Sequence, residues 1–250
     1  MRLALLTDLH ANREALSACL AHAARQKADQ YAFTGDLVGY GADPAWVIDT
    51  VMAYVLAGAA AVQGNHDHAV THNTGDTGPH THAEARDVID WTRGQLDAGQ
   101  LGLLAGPPLT QERGNMLFVH ASAVDPAKWA YVTGIAEAER RLRATRSRMV
   151  FCGHVHTPAL YRRADDGRMG SHAPAPGSHI AIKPQHQYLV IPGALGQPRD
   201  GNCAACYAMY DDVARALTYF RVPYDAGAAA RRVIAAGLPI MFAMRLIEGI

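Results

Sequence analysis

Several absences narrow what this chain can be. No run of apolar residues approaches the roughly 20 that a membrane-spanning helix needs. Neither charge is in excess: 23 Lys and Arg balance 23 Asp and Glu, which argues against a broad basic face for nucleic acid. The opening MRLALLTDLH carries one basic residue and an apolar run cut at Asp8, so it does not read as a secretory leader. There are only four cysteines, Cys19, Cys152, Cys203 and Cys206. Cys203-Ala-Ala-Cys206 has CxxC spacing but no second pair, so a zinc ribbon is unsupported and two small strand residues are the plainer reading. No internal repeat and no domain linker is visible. The expectation is a soluble, cytoplasmic protein with reduced thiols and one domain over residues 1–250.

What is present is an apolar fraction sufficient for a core and an unusual number of histidines, thirteen, which invites a search for clusters. The first half alternates strand and helix. Arg2–Leu6, Gln30–Thr34 and Ala59–Val62 read as strands; Asn12 to Lys27 has helical periodicity, and Asp43-Pro44 opens a second helix running to about Tyr54. This order implies parallel strands. Residues 71–82, with His72, His80 and His82, read as a polar loop, followed by helices near 83–93 and 95–104. The second half is richer in strands, at Met116–His120, Arg148–Cys152, Tyr188–Pro192, Ala205–Tyr210 and Leu217–Val222, with one helix near Ile135–Arg143. Arg163–Lys183 is rich in Gly, Ser, Pro and His and reads as an extended loop shaping the substrate entrance; the tail from Ala226 is helical, broken at Gly237-Leu238-Pro239.

Polar groups recur where strands end: Asp8-Leu9-His10, Gly35-Asp36, Gly64-Asn65-His66-Asp67, His120 and Gly153-His154-Val155-His156. Ligands of open α/β sheets bind outside the carboxyl ends of the strands, so five sets far apart in sequence can converge. Each set alone could be a turn; together they point to a shared metal site. Asp8, His10, Asp36, Asn65, His120, His154 and His156 supply two carboxylates, one amide and four imidazoles. That mixture suits Mn, Fe, Zn or Ni better than Mg or Ca. Seven ligands are too many for one zinc with an open position, but they fit two divalent ions sharing a bridging carboxylate.

These motifs resemble those of the calcineurin-like metallophosphoesterases. The resemblance extends to Pro192–Asp200, Phe220–Asp225 and Arg245–Gly249, which are similar to segments of a small bacterial subgroup of phosphodiesterase type. It implies a four-layer α/β/β/α sandwich of two mixed sheets flanked by helices. It implies that Asp8, His10 and His156 hold one metal ion, that Asn65, His120 and His154 hold a second, and that Asp36 bridges, with manganese favoured. The implied activity is hydrolysis of a phosphodiester, phosphomonoester or dinucleoside polyphosphate by dimetal-activated hydroxide. His66 would be the general acid or charge stabiliser, Asp67 would orient its ring, and His68 has no implied role. Asn12, Tyr40 and Arg199 are candidates for substrate contact. Ile191 and Ala194 depart from the subgroup's usual Asn and Ser, which bears on substrate contacts rather than on metal. The partner implied is a small phosphate-ester or nucleotide substrate, with neither membrane nor nucleic acid expected. Two alternatives of the same fold are a protein serine/threonine phosphatase, against which the second histidine His156 counts, and a catalytically weak interaction scaffold, against which the complete ligand set counts.

Overall fold

The computed structural model describes residues 1–74 and 83–250. In chain order the first half comprises β1 (Arg2–Leu6), α1 (Arg13–Arg25), β2 (Gln30–Phe33), α2 (Pro44–Leu56), β3 (Ala60–Ala61), α3 (Asn65–His72), α4 (Ala83–Gly94) and α5 (Ala98–Ala105). The second half comprises β4 (Thr110–Arg113), β5 (Met116–Val119), α6 (Ile135–Arg143), β6 (Met149–Phe151), β7 (Ala159–Arg163), β8 (Met169–His172), β9 (His179–Ala181), β10 (Gln187–Ile191), β11 (Ala205–Asp211), β12 (Ala216–Val222), α7 (Ala226–Ala235) and α8 (Ile240–Glu248).

Local chemistry sets the helix ends. Asn12 caps α1, its Oδ1 accepting from Ala15 N at 3.0 Å, and Asp97 and Asp225 do the same for α5 and α7. Asp43 precedes the N1 proline of α2 as expected but makes no capping bond; its carboxylate accepts instead from Arg232 on α7 at 3.2 Å. The buried face of α1, Ala15, Leu16, Cys19, Leu20 and Ala23, follows the 3.6-residue period.

The strands form two mixed six-stranded sheets. The first has the order β3-β2-β1-β11-β12-β9, parallel across its first three strands and antiparallel beyond. The second has the order β4-β5-β6-β10-β7-β8, parallel only across β5, β6 and β10. Leu5, Phe118, Phe151, Val190 and Tyr219 pack between the sheets. The outer face of the first sheet packs against α1 and α2, and that of the second against α6 through Ala138 and Leu142. These are the expected four layers. A further cluster joins α4, α7 and α8 around Val88, Val233 and Phe242.

Three departures from the sequence reading matter. Residues 163–183 are not one loop: they hold the end of β7 and all of β8 and β9, and β4 was likewise unforeseen. Register places Arg163 beside Gln187 at the start of β10, and β9 beside the start of β12, at the end of the sandwich away from Asp8. β8 runs back the other way and puts His172 beside Leu160, so only part of the segment lies at the end away from Asp8. Residues 65–72, read as the end of a strand followed by a loop, form α3; His72 is exposed on its last turn, while His80 and His82 lie outside the described residues. Ile191 is fully buried against α6 in the outer layer of the second sheet, so its departure from the subgroup affects packing rather than substrate.

Phe118 and Phe151 stack at 5.4 Å between ring centroids and are both buried between the sheets. Phe151→Ala is expected to lower the unfolding free energy by about 3–5 kcal/mol, read by urea denaturation.

Candidate metal centre

All five polar sets converge at one end of the sandwich, and the backbone there is unusual. Asp8, His10, Asp36, His154 and His156 have φ values of 53°, 46°, 52°, 67° and 66°, in the left-handed region. Each costs roughly 1–2 kcal/mol for a residue with a Cβ. Hydrogen bonds between the loops hold these conformations. Asp8 N donates to Gly35 O at 3.1 Å, His10 N to Asp36 O at 3.0 Å, Gly153 N to His120 O at 2.7 Å and Gly196 N to Asp8 O at 2.8 Å. Glycine is required where the loops touch: a Cβ on Gly35, itself at φ +88°, would lie 2.7 Å from both Gly64 N and His120 Nδ1.

The side chains form two groups that share one residue. Metal-ligating atoms of Asp8, His10, Asp36 and His156 all lie within 4.8 Å of one another, and so do those of Asp36, His120 and His154. Asp36 Oδ2 stands 3.7 Å from His10 Nε2 and 3.3 Å from His120 Nε2, while its Oδ1 accepts from His66 N at 2.9 Å. One carboxylate oxygen is thus anchored to backbone and the other faces both groups. Asn65 joins the second group, its Oδ1 2.9 Å from His120 Nε2. Both Asp8 oxygens accept from His154 N, at 3.0 and 3.1 Å.

Backbone carbonyls fix the imidazoles from behind. Val38 O, Thr34 O and Gln197 O lie 3.1, 2.8 and 2.6 Å from the Nδ1 atoms of His10, His120 and His156, so each Nδ1 donates outward and Nε2 points inward. His154 is reversed: its Nδ1 lies 3.2 Å from His120 Nε2.

These donors fit divalent ions. His10 Nε2 and His156 Nε2 face each other at 3.2 Å. Burial holds both rings well below the ordinary histidine range, so both are neutral and their lone pairs repel. A cation between them removes the repulsion. Burial also opposes charge on His120, but the adjacent Asp36 outweighs it and lifts that ring to about 9. Burial pushes the Asp8 carboxyl up to about 6, against the pull of His120 and with the push of Asp36. Buried carboxylates set among buried imidazoles are a site prepared for positive charge.

His66 lies beside the groups without joining them. Its ring sits 5.0 Å from that of His10 and 4.5 Å from that of Tyr40. Its Nδ1 is buried without a hydrogen-bond partner, and Gly39, at φ +87°, packs so closely that a Cβ there would lie 2.5 Å from it. Burial lowers the ring to about 4 despite Asp36, with Arg199 and His120 lowering it further. The expected contact from Asp67 is not the arrangement found. The Asp67 carboxylate accepts from Leu37 N at 2.8 Å, Val38 N at 3.2 Å and Gly64 N at 3.0 Å. Asp67 therefore fixes the start of α3 and the loop after Asp36, and acts on His66 only by placing that helix. His68 stacks on His72 at 3.9 Å and meets the edge of Trp129, away from the metal-ligating atoms.

The three residues considered for substrate contact separate. Asn12 is fully engaged: besides capping α1, its Nδ2 donates to Gly196 O at 2.8 Å and Tyr224 Oη at 3.3 Å, so it braces two loops and offers nothing outward. Tyr40 forms a wall against His10 and His66. Arg199 lies with its guanidinium carbon 5.7 Å from the Tyr40 ring, donates to Gln197 Oε1 at 3.1 Å, and has a buried Nε without a partner. Two aromatics escaped the sequence reading. Tyr131 stacks on His154 at 4.1 Å, and Trp129 meets His120 at 6.0 Å. The signal available was the Trp-Ala-Tyr run in the segment after His120.

Comparison with known proteins agrees with this geometry. Residues 1–213 match the family described as the calcineurin-like phosphoesterase superfamily domain. The crystal structure of a metallophosphoesterase from Sphaerobacter thermophilus is 32% identical, with a TM-score of 0.88 over 100% of this chain and 99% of that one. A hypothetical protein from Pyrococcus horikoshii shares the fold, at 18% identity and a TM-score of 0.81 over 99% of this chain and 98% of that one. An uncharacterized protein of Methanocaldococcus jannaschii is 27% identical over 251 residues, covering 99% of this chain and 98% of the relative. With its converging donors, its two mixed sheets and a family match over most of its length, the chain belongs to the calcineurin-like phosphoesterase superfamily.

Proposed function

We propose that the chain, acting as one unit over residues 1–250, hydrolyses a small phosphodiester, phosphomonoester or dinucleoside polyphosphate with the help of two divalent ions, manganese favoured. The observation that carries this reading is the sharing of Asp36 between two groups of inward-facing donors. Asp8, His10 and His156 would hold one ion and Asn65, His120 and His154 the other. Bound there, the ions supply Lewis acidity toward phosphoryl oxygens and lower the pKa of water.

The remaining roles belong to the chain's own side chains. Arg199 brings the nearest guanidinium, with an unused buried Nε–H, and is placed to bind a phosphoryl oxygen. His66 is neutral in the free protein. An anionic phosphate beside it raises its affinity for a proton, so the ring takes one from solvent as substrate binds and then gives that proton to the leaving oxygen. Tyr40 and Tyr131 wall the site and exclude water from around these groups. The complete donor set favours hydrolysis over a scaffold, and the presence of both His154 and His156 favours an esterase of small substrates over a protein phosphatase.

A screen of bis-p-nitrophenyl phosphate, p-nitrophenyl phosphate and diadenosine tetraphosphate with added manganese is expected to show turnover of at least one, abolished by chelation. No turnover with two ions bound per chain would overturn the hydrolase reading. Asp36→Asn should lose both metal, by elemental analysis, and activity. His66→Ala should lose at least about 100-fold in kcat with metal content intact. Asp67→Ala leaves three buried amides without their acceptor, so it should cost at least about 2 kcal/mol of stability, a loss that His66→Ala does not share.

A further inference from the structure

The end of the sandwich opposite the metal centre carries charge that the chain does not neutralise. Arg146, Arg148, Arg163, Lys183 and Arg215 take part in none of the ion pairs among the described residues. In a chain of zero formal net charge, five cations outside any ion pair make this end locally positive and attractive to an anion. They come from segments distant in sequence, which the starts of β6 and β10, the end of β7 and the start of β12 bring together.

These cations line two cavities that share Arg148. One, of 440 Å³, is bounded by Arg146, Arg148 and Arg163 with Gln185 and Gln187. The other, of 340 Å³, has Arg148, Lys183, Arg215 and His186 on its polar side. Its apolar side is Met116, Met149, Ile182 and Tyr210. Each cavity has one carboxylate in its lining. Asp212 is paired with the amino group of Met1 at 2.7 Å, and Asp165 accepts from its neighbour's amide at 3.1 Å.

The cavities are built rather than incidental. Arg148 Nη1 donates to Gln185 O at 2.8 Å and Arg163 Nη1 to Gln187 Oε1 at 3.0 Å, which orients both guanidinium forks and leaves their other donors free. Arg163 Nε is buried without a partner. His186, only 8% exposed, lines the second cavity, and its Nδ1 is also buried without a partner. Unpaired buried polar atoms are costly, and one belongs to a lining residue of each cavity, which points to a ligand spanning the two.

We propose that this end binds a nucleotide, with its phosphates among Arg146, Arg148 and Arg163 and its base against Met149 and Tyr210 beside His186. Arg and Lys forks match phosphate oxygens, and the mixed apolar and hydrogen-bonding wall of the second cavity matches a flat heterocycle. Both metal-capable groups found among the described residues lie at the other end, so the occupant here is an effector and not a substrate.

Calorimetric titration of ADP, pyrophosphate and adenosine into the manganese-loaded protein tests this. ADP should bind more tightly than either fragment. Arg146→Glu with Arg163→Glu, and separately Lys183→Glu with Arg215→Glu, should each weaken ADP about tenfold or more. Turnover of bis-p-nitrophenyl phosphate without ADP should stay unchanged in both. Two variants guard against one failing to fold, which circular dichroism reports. ADP affinity unchanged in both, absent in the parent protein, or lost only in Asp36→Asn would overturn the site. Pyrophosphate binding as tightly as ADP would overturn the assignment of the base.

Discussion

The constraint on which this structure turns is electrostatic. Four imidazoles, two carboxylates and an amide oxygen are buried facing one another. In a low-dielectric interior such an arrangement repels unless protons or cations enter it. The rest of this end of the molecule enforces that convergence. Left-handed backbone at five ligand positions turns the side chains inward, cross-loop hydrogen bonds hold the turns, and carbonyls behind three of the rings fix which nitrogen faces the centre. Strain of this kind persists only where the surroundings over-determine it.

Neither sheet holds the centre alone. Asp8, His10, Asp36 and Asn65 follow strands of the first sheet; His120, His154 and His156 follow strands of the second. Asp8 and His154 meet across that boundary, carboxylate to amide, and so do Asn65 and His120. Packing Phe118 and Phe151 between the sheets is therefore also what sets the spacing of the donors. Stability and site geometry are coupled through the same apolar layer.

Much of this was legible in the sequence, for a physical reason: a ligand just after a buried strand is announced by the strand's own apolar run. What escaped lacks such a herald. β8 and β9, Met-Gly-Ser-His and His-Ile-Ala, are short edge strands whose pairing comes from neighbours rather than from their own pattern. α3 opens on Asn-His-Asp-His, weak helix formers, and depends on Asp67 bonding to Gly64 N. Asp67 does not meet the His66 ring because adjacency in sequence is not adjacency in space: consecutive residues on a helix point about 100° apart, so His66 faces the centre while Asp67 faces the backbone. Tyr131 and Trp129 lie on a segment without periodicity, where nothing marks which way a ring turns.

The chain leaves the second sheet after β8, adds β9 to the edge of the first, and returns for β10. Gly177 N bonds to Tyr219 O and Ile182 N to Arg215 O, both at 2.8 Å, and Lys183 N bonds to Tyr188 Oη at 3.0 Å. Chain crosses between the sheets at the metal end too, in residues 192–204, where Gly196 N bonds to Asp8 O at 2.8 Å. Backbone thus stitches the sandwich at both ends, and the two halves of the donor set are held in register by the chain itself as well as by the apolar layer between the sheets.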